Sequence, residues 1–298
     1  MSSTSDQSRP EFLTVRELAD LLRIKERKVY DLAATGAVPC SKVTGKLLFP
    51  ESEIRAWIAR GSSAPAGMDT APRPHVFLGS HDPLLDWALR QSRCGIAIYF
   101  DGSLDGLDRF DAGEGIASGL HIFDTGAQVW NLPAVRPRFA AQNVVLLAFA
   151  SRRRGLILPP GGGARISGIA DLTGCRIAPR QPESGTHGVF EHLRAAAGLA
   201  PDALRYTDTA RSEADAVMAV QSGDADAAFG LEALARPYGL DFVPVIEERF
   251  DLLVDRKAWF DAPMQQLVAF FQSEAFVRHA ASLGGYDIRD IGTVRWNA

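Results

Sequence analysis

Four turns in the later part of the chain place hydroxyl or carboxyl groups at the start of a predicted helix. They are Ser80-His-Asp-Pro83, Asp101-Gly-Ser103-Leu-Asp-Gly106, Gln181-Pro-Glu-Ser184-Gly-Thr-His187 and, more weakly, Gly230-Leu-Glu232. Each follows a short apolar run that favours a strand. Such a turn directs free backbone N–H groups, with a hydroxyl beside them, at one point, which is typical of an anion site. One turn alone is also an ordinary helix cap, so the prediction depends on several of them converging.

The sequence offers less support for a catalytic or metal site than for an anion site. Ser184 and His187 are three residues apart, but the chain has no G-x-S-x-G turn and no orienting acid in register, so we expect no catalytic residue. The histidines show no pairing at i and i+4, and the three cysteines show no C-x-x-C spacing. We therefore expect no metal site, no cofactor and no disulfide.

The first sixty residues predict a different activity. Thr14-Val-Arg-Glu17 is a capping box that opens a helix to about Leu22, and a second helix follows a three-residue turn, from about Glu26 to Ala34. Two short strands around Thr44-Gly45-Lys46 predict a wing, and Pro50 starts a closing helix. A recognition helix presents its first residues to the DNA major groove. The predicted DNA-binding residues are Lys25, Arg27, Lys28 and Tyr30 on the second helix and Lys42 and Lys46 on the wing.

This N-terminal pattern resembles the excisionase and MerR type of winged helix-turn-helix domain. The matching segments are L-T-V-x-E-L-A-x-L-L, K-V-Y, G-x-V-P, K-V-x-G-x-L-x-F-P and I-x-A-W-I, spread over residues 12–59. The resemblance implies binding to double-stranded DNA as a homodimer on paired half-sites. The alternative is a small protein-interaction module, because residues 11–60 carry only nine Lys and Arg against seven Asp and Glu.

Composition divides the chain into a domain at residues 11–60, a Gly- and Pro-rich linker at 61–74 and an α/β domain at 75–298. In the last of these, apolar runs alternate with helical stretches, which predicts largely parallel sheet. About 220 residues is large for one such sheet, so we expect two lobes. Val144–Arg154 and Val243–Val254 are the candidate crossing strands. We expect the triplet Arg152-Arg-Arg154 to lie in a solvated loop at the lobe junction.

The α/β domain is similar to periplasmic-binding-protein-like domains that are fused to helix-turn-helix domains. The segments that match are S-H-D-P-L-L-D, G-S-L-x-G-L, G-L-H-I-F-D, R-Q-x-x-S-G-T, G-x-E-A-x-A-R and L-G-G-Y-D. The resemblance implies a two-lobed type II fold, with lobe 1 at about 75–150 and 250–298 and lobe 2 at about 151–249. It also implies a ligand site made by Ser80, His81, Ser103, His121, Ser184, Gly185, Thr186 and His187, with Arg180 and Glu232 at its edge.

Members of this family resemble molybdate- and tungstate-binding proteins, which implies a small anionic ligand. The chain departs from the family pattern at Glu183, in place of glycine, and at His187, where arginine is common. A carboxylate beside an anion is unfavourable. An organic acid held by Arg180, or a neutral or cationic solute near Glu183 and Glu232, therefore stays open.

These features together predict a one-component transcription regulator. The net charge is −4, the first residues are polar without the apolar core of a secretion signal, and no apolar run is long enough to span a membrane. We therefore expect a cytoplasmic protein without a membrane partner. The alternatives are a sensor of a small organic acid with the same architecture, and an enzyme that uses the cleft while the N-terminal module serves for docking.

Overall fold

The computed structural model describes residues 12–42, 45–54, 57, 72–182 and 184–298. Residues 12–57 belong to one compact unit and residues 72–298 to another. In the part of the chain described, no helix has both the length and the apolar character needed to cross a membrane.

The first unit is a helix-turn-helix with a small sheet. Its elements are β1 (Phe12–Leu13), α1 (Val15–Leu22), α2 (Glu26–Ala34) and β2 (Phe49–Pro50), and residues 51–54 are helical. The capping box is present, since Thr14 and Glu17 exchange hydrogen bonds at the start of α1. Arg23, in the left-handed conformation, ends α1 and begins the tight turn. The core is formed by buried side chains of both helices and the sheet: Leu18, Ala19, Val29, Val38, Phe49 and Ile54.

A hairpin lies between α2 and the helical residues 51–54. Ser41 and Leu48 exchange both backbone hydrogen bonds, at 2.7 and 3.0 Å, as an antiparallel bridge. This is the base of the predicted wing. Thr44, at the predicted tip, lies outside the described residues.

The second unit alternates strands and helices. Its first part has β3 (Val76–Gly79), α3 (Pro83–Ser92), β4 (Ala97–Ile98), α4 (Ser103–Asp111), β5 (Ala117–Leu120), β6 (Phe123–Asp124), β7 (Val129–Trp130), α5 (Leu132–Phe139) and β8 (Val144–Leu158). Its second part has β9 (Arg176–Ala178), α6 (Gly185–Ala196), β10 (Arg205–Tyr206), α7 (Glu213–Gln221), β11 (Ala227–Leu231), α8 (Glu232–Ala235) and β12 (Asp241–Asp255). The chain then closes with α9 (Arg256–Trp259), α10 (Ala262–Phe271), α11 (Glu274–Leu283), β13 (Tyr286–Asp287) and β14 (Val294–Asn297).

Two long antiparallel strands, β8 and β12, run through both lobes of this unit. The strand order is β10-β9-β11-β8-β12-β5-β3-β4, and β13 and β14 also pair with β8. Parallel strands β3, β4 and β5 attach to one half, while parallel strands β9, β10 and β11 attach to the other. The predicted crossing strands at 144–154 and 243–254 are therefore confirmed, within strands of 15 residues each.

Helices cover both faces of the sheet in each lobe, which explains the long apolar runs at Val144–Ala150 of β8 and in β3 and β11. In lobe 1, buried residues of α3, α10 and α11 pack on one face, and buried residues of α4 and α5 pack on the other. In lobe 2, α6 covers one face and α7 the other. This layering leaves the carboxyl ends of the parallel strands free to carry a site.

Two sequence predictions are wrong in this unit. The triplet at 152–154 is not a solvated loop but the middle of β8, where Arg152 and Arg154 are buried and only Arg153 is exposed. In a strand, side chains alternate between faces, so residues 152 and 154 share the interior face. Helix α6 begins at Gly185, inside the turn predicted at residues 181–187, because Ser184 caps it.

Candidate functional site

The ends of β3 and β4 bring two predicted serines into contact. Ser80 follows β3, Ser103 is the first residue of α4, and their Oγ atoms lie 2.8 Å apart in a buried position. The approach is possible because α4 packs on β3 through glycine. A Cβ at Gly106 would lie 2.3 Å from the Cα of Gly79, so no larger residue fits there without movement.

His121 connects this pair to the other lobe. It follows β5, and its backbone N–H donates to Ser103 Oγ at 3.1 Å. Its Nδ1 lies 3.1 Å from a carboxylate oxygen of Glu248 on β12. On the lobe 2 side, a Cβ at Gly185 would lie 3.1 Å from the carbonyl oxygen of His121. The lobes therefore touch where the strand ends of lobe 1 face the start of α6.

The first turn of α6 supplies the lobe 2 side of this contact. The Oγ of Ser184 accepts from the backbone N–H of His187 at 3.1 Å, which is the bond of a helix cap. Thr186 is buried, and its hydroxyl lies 3.0 Å from Arg154 Nη1 and donates to Glu213 Oε1 at 2.9 Å.

Behind the contact lies an ion network that we call the junction cluster, which consists of Asp82, Arg152, Arg154, Glu213 and Glu248. Arg152 donates to Asp82 at 2.7 Å and also to Glu248. Arg154 donates to Glu248 at 2.5 Å and lies 2.8 Å from Glu213. Asp82 caps α3 with its other oxygen, as its position before Pro83 predicts. The cluster joins α3 and both crossing strands to α7 of lobe 2.

The junction cluster sets the ionisation of its own acids. Burial by itself would raise the pKa of Glu248, but the Arg152 and Arg154 charges hold that pKa well below its ordinary value. Burial would also raise the pKa of Glu213, but the positive charge of Arg154 outweighs this effect, and the pKa of Glu213 is lowered. Both groups are therefore carboxylates at neutral pH. The cluster contains three carboxyl groups, those of Asp82, Glu213 and Glu248, and two guanidinium groups, those of Arg152 and Arg154.

Sequence reasoning missed Arg152, Arg154, Glu213 and Glu248. The spacing of Arg152 and Arg154 carried a signal, since residues two apart in an extended run share a face. Glu247-Glu248 in the other predicted crossing strand was a matching signal, and Glu248 indeed lies opposite Arg152 in the β8–β12 register.

A separate pocket lies in lobe 2, between the end of β9 and the first turns of α6. Its lining residues are Ile177, Ala178, Pro179, Arg180, Thr186, His187, Phe190, Tyr206 and Phe229. Three predicted site residues, Arg180, Thr186 and His187, thus share this pocket. Arg180 Nη1 donates to the carbonyl oxygen of Ala210 at 3.0 Å. Its Nε is buried and has no hydrogen-bond partner among the described residues.

Two of the predicted ligand-binding residues, His81 and Glu232, lie apart from these contacts. His81 is exposed and its ring packs edge-on to Phe100, at 5.8 Å between centroids. Glu232 is buried as the first residue of α8, with its carboxylate 2.8 Å from Arg153 and 3.5 Å from Arg236. Glu183 lies outside the described residues.

In the first unit, the predicted DNA-binding side chains lie on one helix start and on the hairpin. Lys25 is the N-cap of α2, Arg27 and Lys28 follow in its first turn, and Tyr30 comes next. All four are exposed, with Tyr30 at 52%. Lys42 and Lys46 of the hairpin are exposed as well.

Known proteins match both units. The sequence profile of a helix-turn-helix domain matches residues 12–62, and that of the PBP superfamily domain matches residues 87–272. A curated relative from Bacillus subtilis (strain 168), the uncharacterized protein YvgK, is 26% identical over 94% of this chain and 96% of its own length.

Solved structures of binding proteins are similar in fold. An ABC-type phosphate transport receptor from Vibrio cholerae is 12% identical, with a TM-score of 0.45 over 72% of this chain and 98% of the receptor. An amino acid ABC transporter substrate-binding protein from Streptococcus pneumoniae, bound to L-arginine, is 11% identical, with a TM-score of 0.45 over 70% of this chain and 92% of that protein. These likenesses carry no argument about the ligand. The profile of the PBP superfamily domain matches more than half of this chain. The chain therefore belongs to the PBP superfamily, and it carries a helix-turn-helix domain at its N-terminal end.

Proposed function

We propose that the chain is a one-component transcription regulator in which a small anion, bound between the lobes, changes the affinity of a helix-turn-helix homodimer for duplex DNA. The supporting observation is the contact of Ser80, Ser103, His121 and Gly185. These residues lie at the ends of separate strands and at one helix start, yet they meet where the two lobes touch. A ligand held there contacts both lobes and so favours one arrangement of them.

The DNA-binding part of the proposal depends on α2. Its first turn presents Lys25, Arg27 and Lys28 to solvent, and cationic side chains at the start of a recognition helix suit phosphates and base edges. Lys42 and Lys46 add positive charge on the hairpin. Binding to chromosomal DNA requires a cytoplasmic location, which is part of the proposal.

The proposed ligand is an anion held by neutral donors. Hydroxyl groups of Ser80 and Ser103, together with the first N–H groups of α6, suit an oxyanion such as molybdate or tungstate. The junction cluster already has one more carboxylate than guanidinium groups, so its arginines offer little uncompensated positive charge. A small organic acid beside Arg180 is the second candidate, because the buried Nε of that guanidinium has no hydrogen-bond partner within the described part of the chain.

The test begins with thermal unfolding of the full chain in the presence of molybdate, tungstate, sulfate and short carboxylates. A ligand that binds only the folded chain raises the midpoint with the logarithm of its concentration. Duplexes selected from random sequence by the full chain then give a DNA probe, and its affinity is measured with and without each stabilising anion. Unchanged affinity at a saturating anion concentration would contradict the regulatory role.

A further inference from the structure

The segment that leads into lobe 1 contains an arginine with a largely buried side chain. Composition places Arg73 in the linker predicted at residues 61–74, yet its side chain is only 10% exposed. Pro72 and Pro74 flank it, and proline fixes its own φ and restricts the residue before it. The end of the predicted linker is therefore stiff, and its contacts decide where it is held.

Three groups of lobe 1 hold the Arg73 guanidinium. Its Nη1 donates to the carbonyl oxygens of Phe110 and Gly115, the second at 3.2 Å. Its Nε lies 3.5 Å from Oδ2 of Asp255, and its central carbon lies 4.4 Å from the centroid of the Phe110 ring. Hydrogen bonds, an ion pair and a cation–π contact thus act on one side chain. We call Arg73 with these three partners the Arg73 anchor.

Helix α4 runs from the proposed anion site to the Arg73 anchor. Its first residue is Ser103, whose Oγ contacts Ser80 and accepts from the backbone N–H of His121. Its last turn contains Phe110. Carbonyl groups in the last turn of a helix carry partial negative charge, which favours a cation beside them. Because a helix of nine residues moves as one piece, a shift at its first residue also moves the carbonyl group at its other end.

The crossing strand β12 makes a second connection to the Arg73 anchor. Glu248, within this strand, belongs to the junction cluster, and Asp255 is its last residue. Oδ1 of Asp255 caps α9 by accepting from the backbone N–H of Ala258 at 2.9 Å, while Oδ2 faces Arg73. Two elements that carry the contact between the lobes therefore both reach the same linker residue.

We propose that the Arg73 anchor passes the state of the anion site to the helix-turn-helix unit. The inference rests on the proposed function and adds the residue through which the two units are coupled. The covalent connection between the units runs through this segment, so a movement of α4 or β12 displaces the point at which the linker is attached. Arginine suits the role because its planar group of five N–H donors contacts a helix end, a turn and a carboxylate together. Arg73 is a positioning residue and does not contact the ligand.

The experiment measures how much an anion changes the DNA affinity of the full chain and of two variants. Arg73→Met removes the charge and the donors of the anchor. The matched control is Arg138→Met, because Arg138 of α5 contacts the same end of α4, at Asp108 and Asp111, without belonging to the linker. Fluorescence anisotropy gives the affinity for duplex selected by the parent, with and without saturating molybdate, tungstate, sulfate or acetate.

We expect the most effective anion to change the DNA affinity of the parent about 5- to 150-fold. In Arg73→Met this ratio falls to within about twofold of one, while the affinity for anion alone and for duplex alone stays within about twofold of the parent. Arg138→Met keeps the ratio of the parent. A merely structural role of Arg73 would lower the unfolding midpoint and leave the ratio unchanged.

Hydrogen exchange tests the attachment without any anion. Backbone amides of His75 and Val76 exchange faster in Arg73→Met than in the parent, because the segment is released, and they are unchanged in Arg138→Met. If Arg73→Met does not fold, Asp255→Asn takes its place. Asparagine keeps the cap of α9 and removes the charge that faces the guanidinium, so its ratio lies between that of the parent and one.

Three outcomes overturn the inference. In the first, an anion changes the DNA affinity of the parent and of Arg73→Met by the same factor, which leaves the proposed function standing. In the second, Arg73→Met and Arg138→Met lower the ratio equally, so that loosening α4 is sufficient and the linker contact has no role of its own. In the third, none of the four anions changes the DNA affinity of the parent, so the proposed function fails and the inference fails with it.

Discussion

At the residue scale, Glu248 is the group on which the lobe junction depends most. Its carboxylate accepts from Arg152 and Arg154 and lies 3.1 Å from His121 Nδ1, and it is fully buried. Glu248→Gln removes the main counter-charge of buried Arg152 and also a counter-charge of buried Arg154, which keeps its contact with Glu213. We expect the free energy of unfolding to fall by about 3–5 kcal/mol, measured by urea denaturation.

The matched control is Glu247→Gln, which removes the same charge from the adjacent, exposed position of β12. Its effect should stay below about 1 kcal/mol, as for exposed ion pairs in general. Equal losses in the two variants would show that the junction cluster contributes nothing beyond the overall charge of the strand.

The same carboxylates predict how stability depends on pH. The pKa of Glu248 and that of Glu213 lie below the ordinary value in the folded chain, since the arginine charges outweigh the effect of burial. A carboxyl group whose pKa is lower in the folded than in the unfolded chain stabilises the folded chain. The stabilisation is complete above the pKa of the unfolded chain, about 4.3 for glutamate, and it is lost as the pH falls through the pKa of the folded chain. Unfolding free energy of the parent should therefore fall steeply below about pH 4, and that of Glu248→Gln less steeply.

The residues show what sequence alone can and cannot predict. Ser80 and Ser103 could be selected because a strand end, a small polar residue and a helix start form a local pattern. Arg152 and Arg154 were misassigned because three adjacent arginines suggest a solvated segment. Their burial depends on Asp82, Glu213 and Glu248, which are 59 to 96 residues away from them in sequence, and no local pattern reports such partners.

At the element scale, the packing of α4 on β3 positions the serine pair. A Cβ at Gly106 would lie 2.3 Å from Gly79 Cα and 2.6 Å from Ser118 Oγ, and backbone cannot move out of the way as a side chain can. Gly106→Ala should therefore displace α4, separate Ser103 from Ser80 and destabilise the chain by about 1–3 kcal/mol. Thermal unfolding and anion calorimetry measure the two effects.

In contrast to Gly106→Ala, we expect Gly188→Ala in α6 to be free of steric conflict. Apart from its chain neighbours and the backbone of its own helix, no heavy atom of the described residues lies within 4 Å of a Cβ at that position, and the residue is helical. Alanine there should stabilise the chain by about 0.5–1 kcal/mol, because glycine has the greater backbone freedom when unfolded. A loss of stability in Gly188→Ala as large as that in Gly106→Ala would remove the steric argument.

Helix α2 carries the prediction for DNA. Lys28→Gln removes one exposed charge from its first turn, and binding to duplex DNA releases about one counterion for each neutralised phosphate. The slope of log affinity against log salt should become shallower by about 0.9, measured by fluorescence anisotropy. Arg278→Gln, at an exposed position of α11 in the other unit, is the control and should leave the slope unchanged.

The elements themselves were predictable to different degrees. The capping box of α1 has a strong local signal, a reciprocal side-chain pair, and the two crossing strands have another, their long apolar runs. The structure confirms both predictions. Residues 185–187 were predicted as part of a turn, because Gly185-Thr-His-Gly188 favours a turn by composition. The helix extends over these residues since Ser184 caps it and Thr186 is held by the junction cluster.

At the scale of the whole molecule, the proposal requires that the anion site and the DNA-binding surface affect each other. Such coupling between two sites is typically about 1–3 kcal/mol, or roughly 5- to 150-fold in affinity. Coupling between two binding equilibria is reciprocal by necessity. If a saturating anion changes the affinity for selected duplex DNA by a given factor, saturating duplex must change the affinity for the anion by the same factor.

This reciprocity separates regulation from a mere fusion of two domains. Calorimetric titration of the best anion, with and without saturating duplex, should give two dissociation constants whose ratio equals the one from the DNA experiment. Glu248→Gln supplies the decisive comparison, because it weakens the lobe junction without altering the exposed surface of α2. We expect its DNA affinity without anion to remain and the ratio to approach one. A ratio unchanged from the parent would mean that the signal does not pass through the junction cluster.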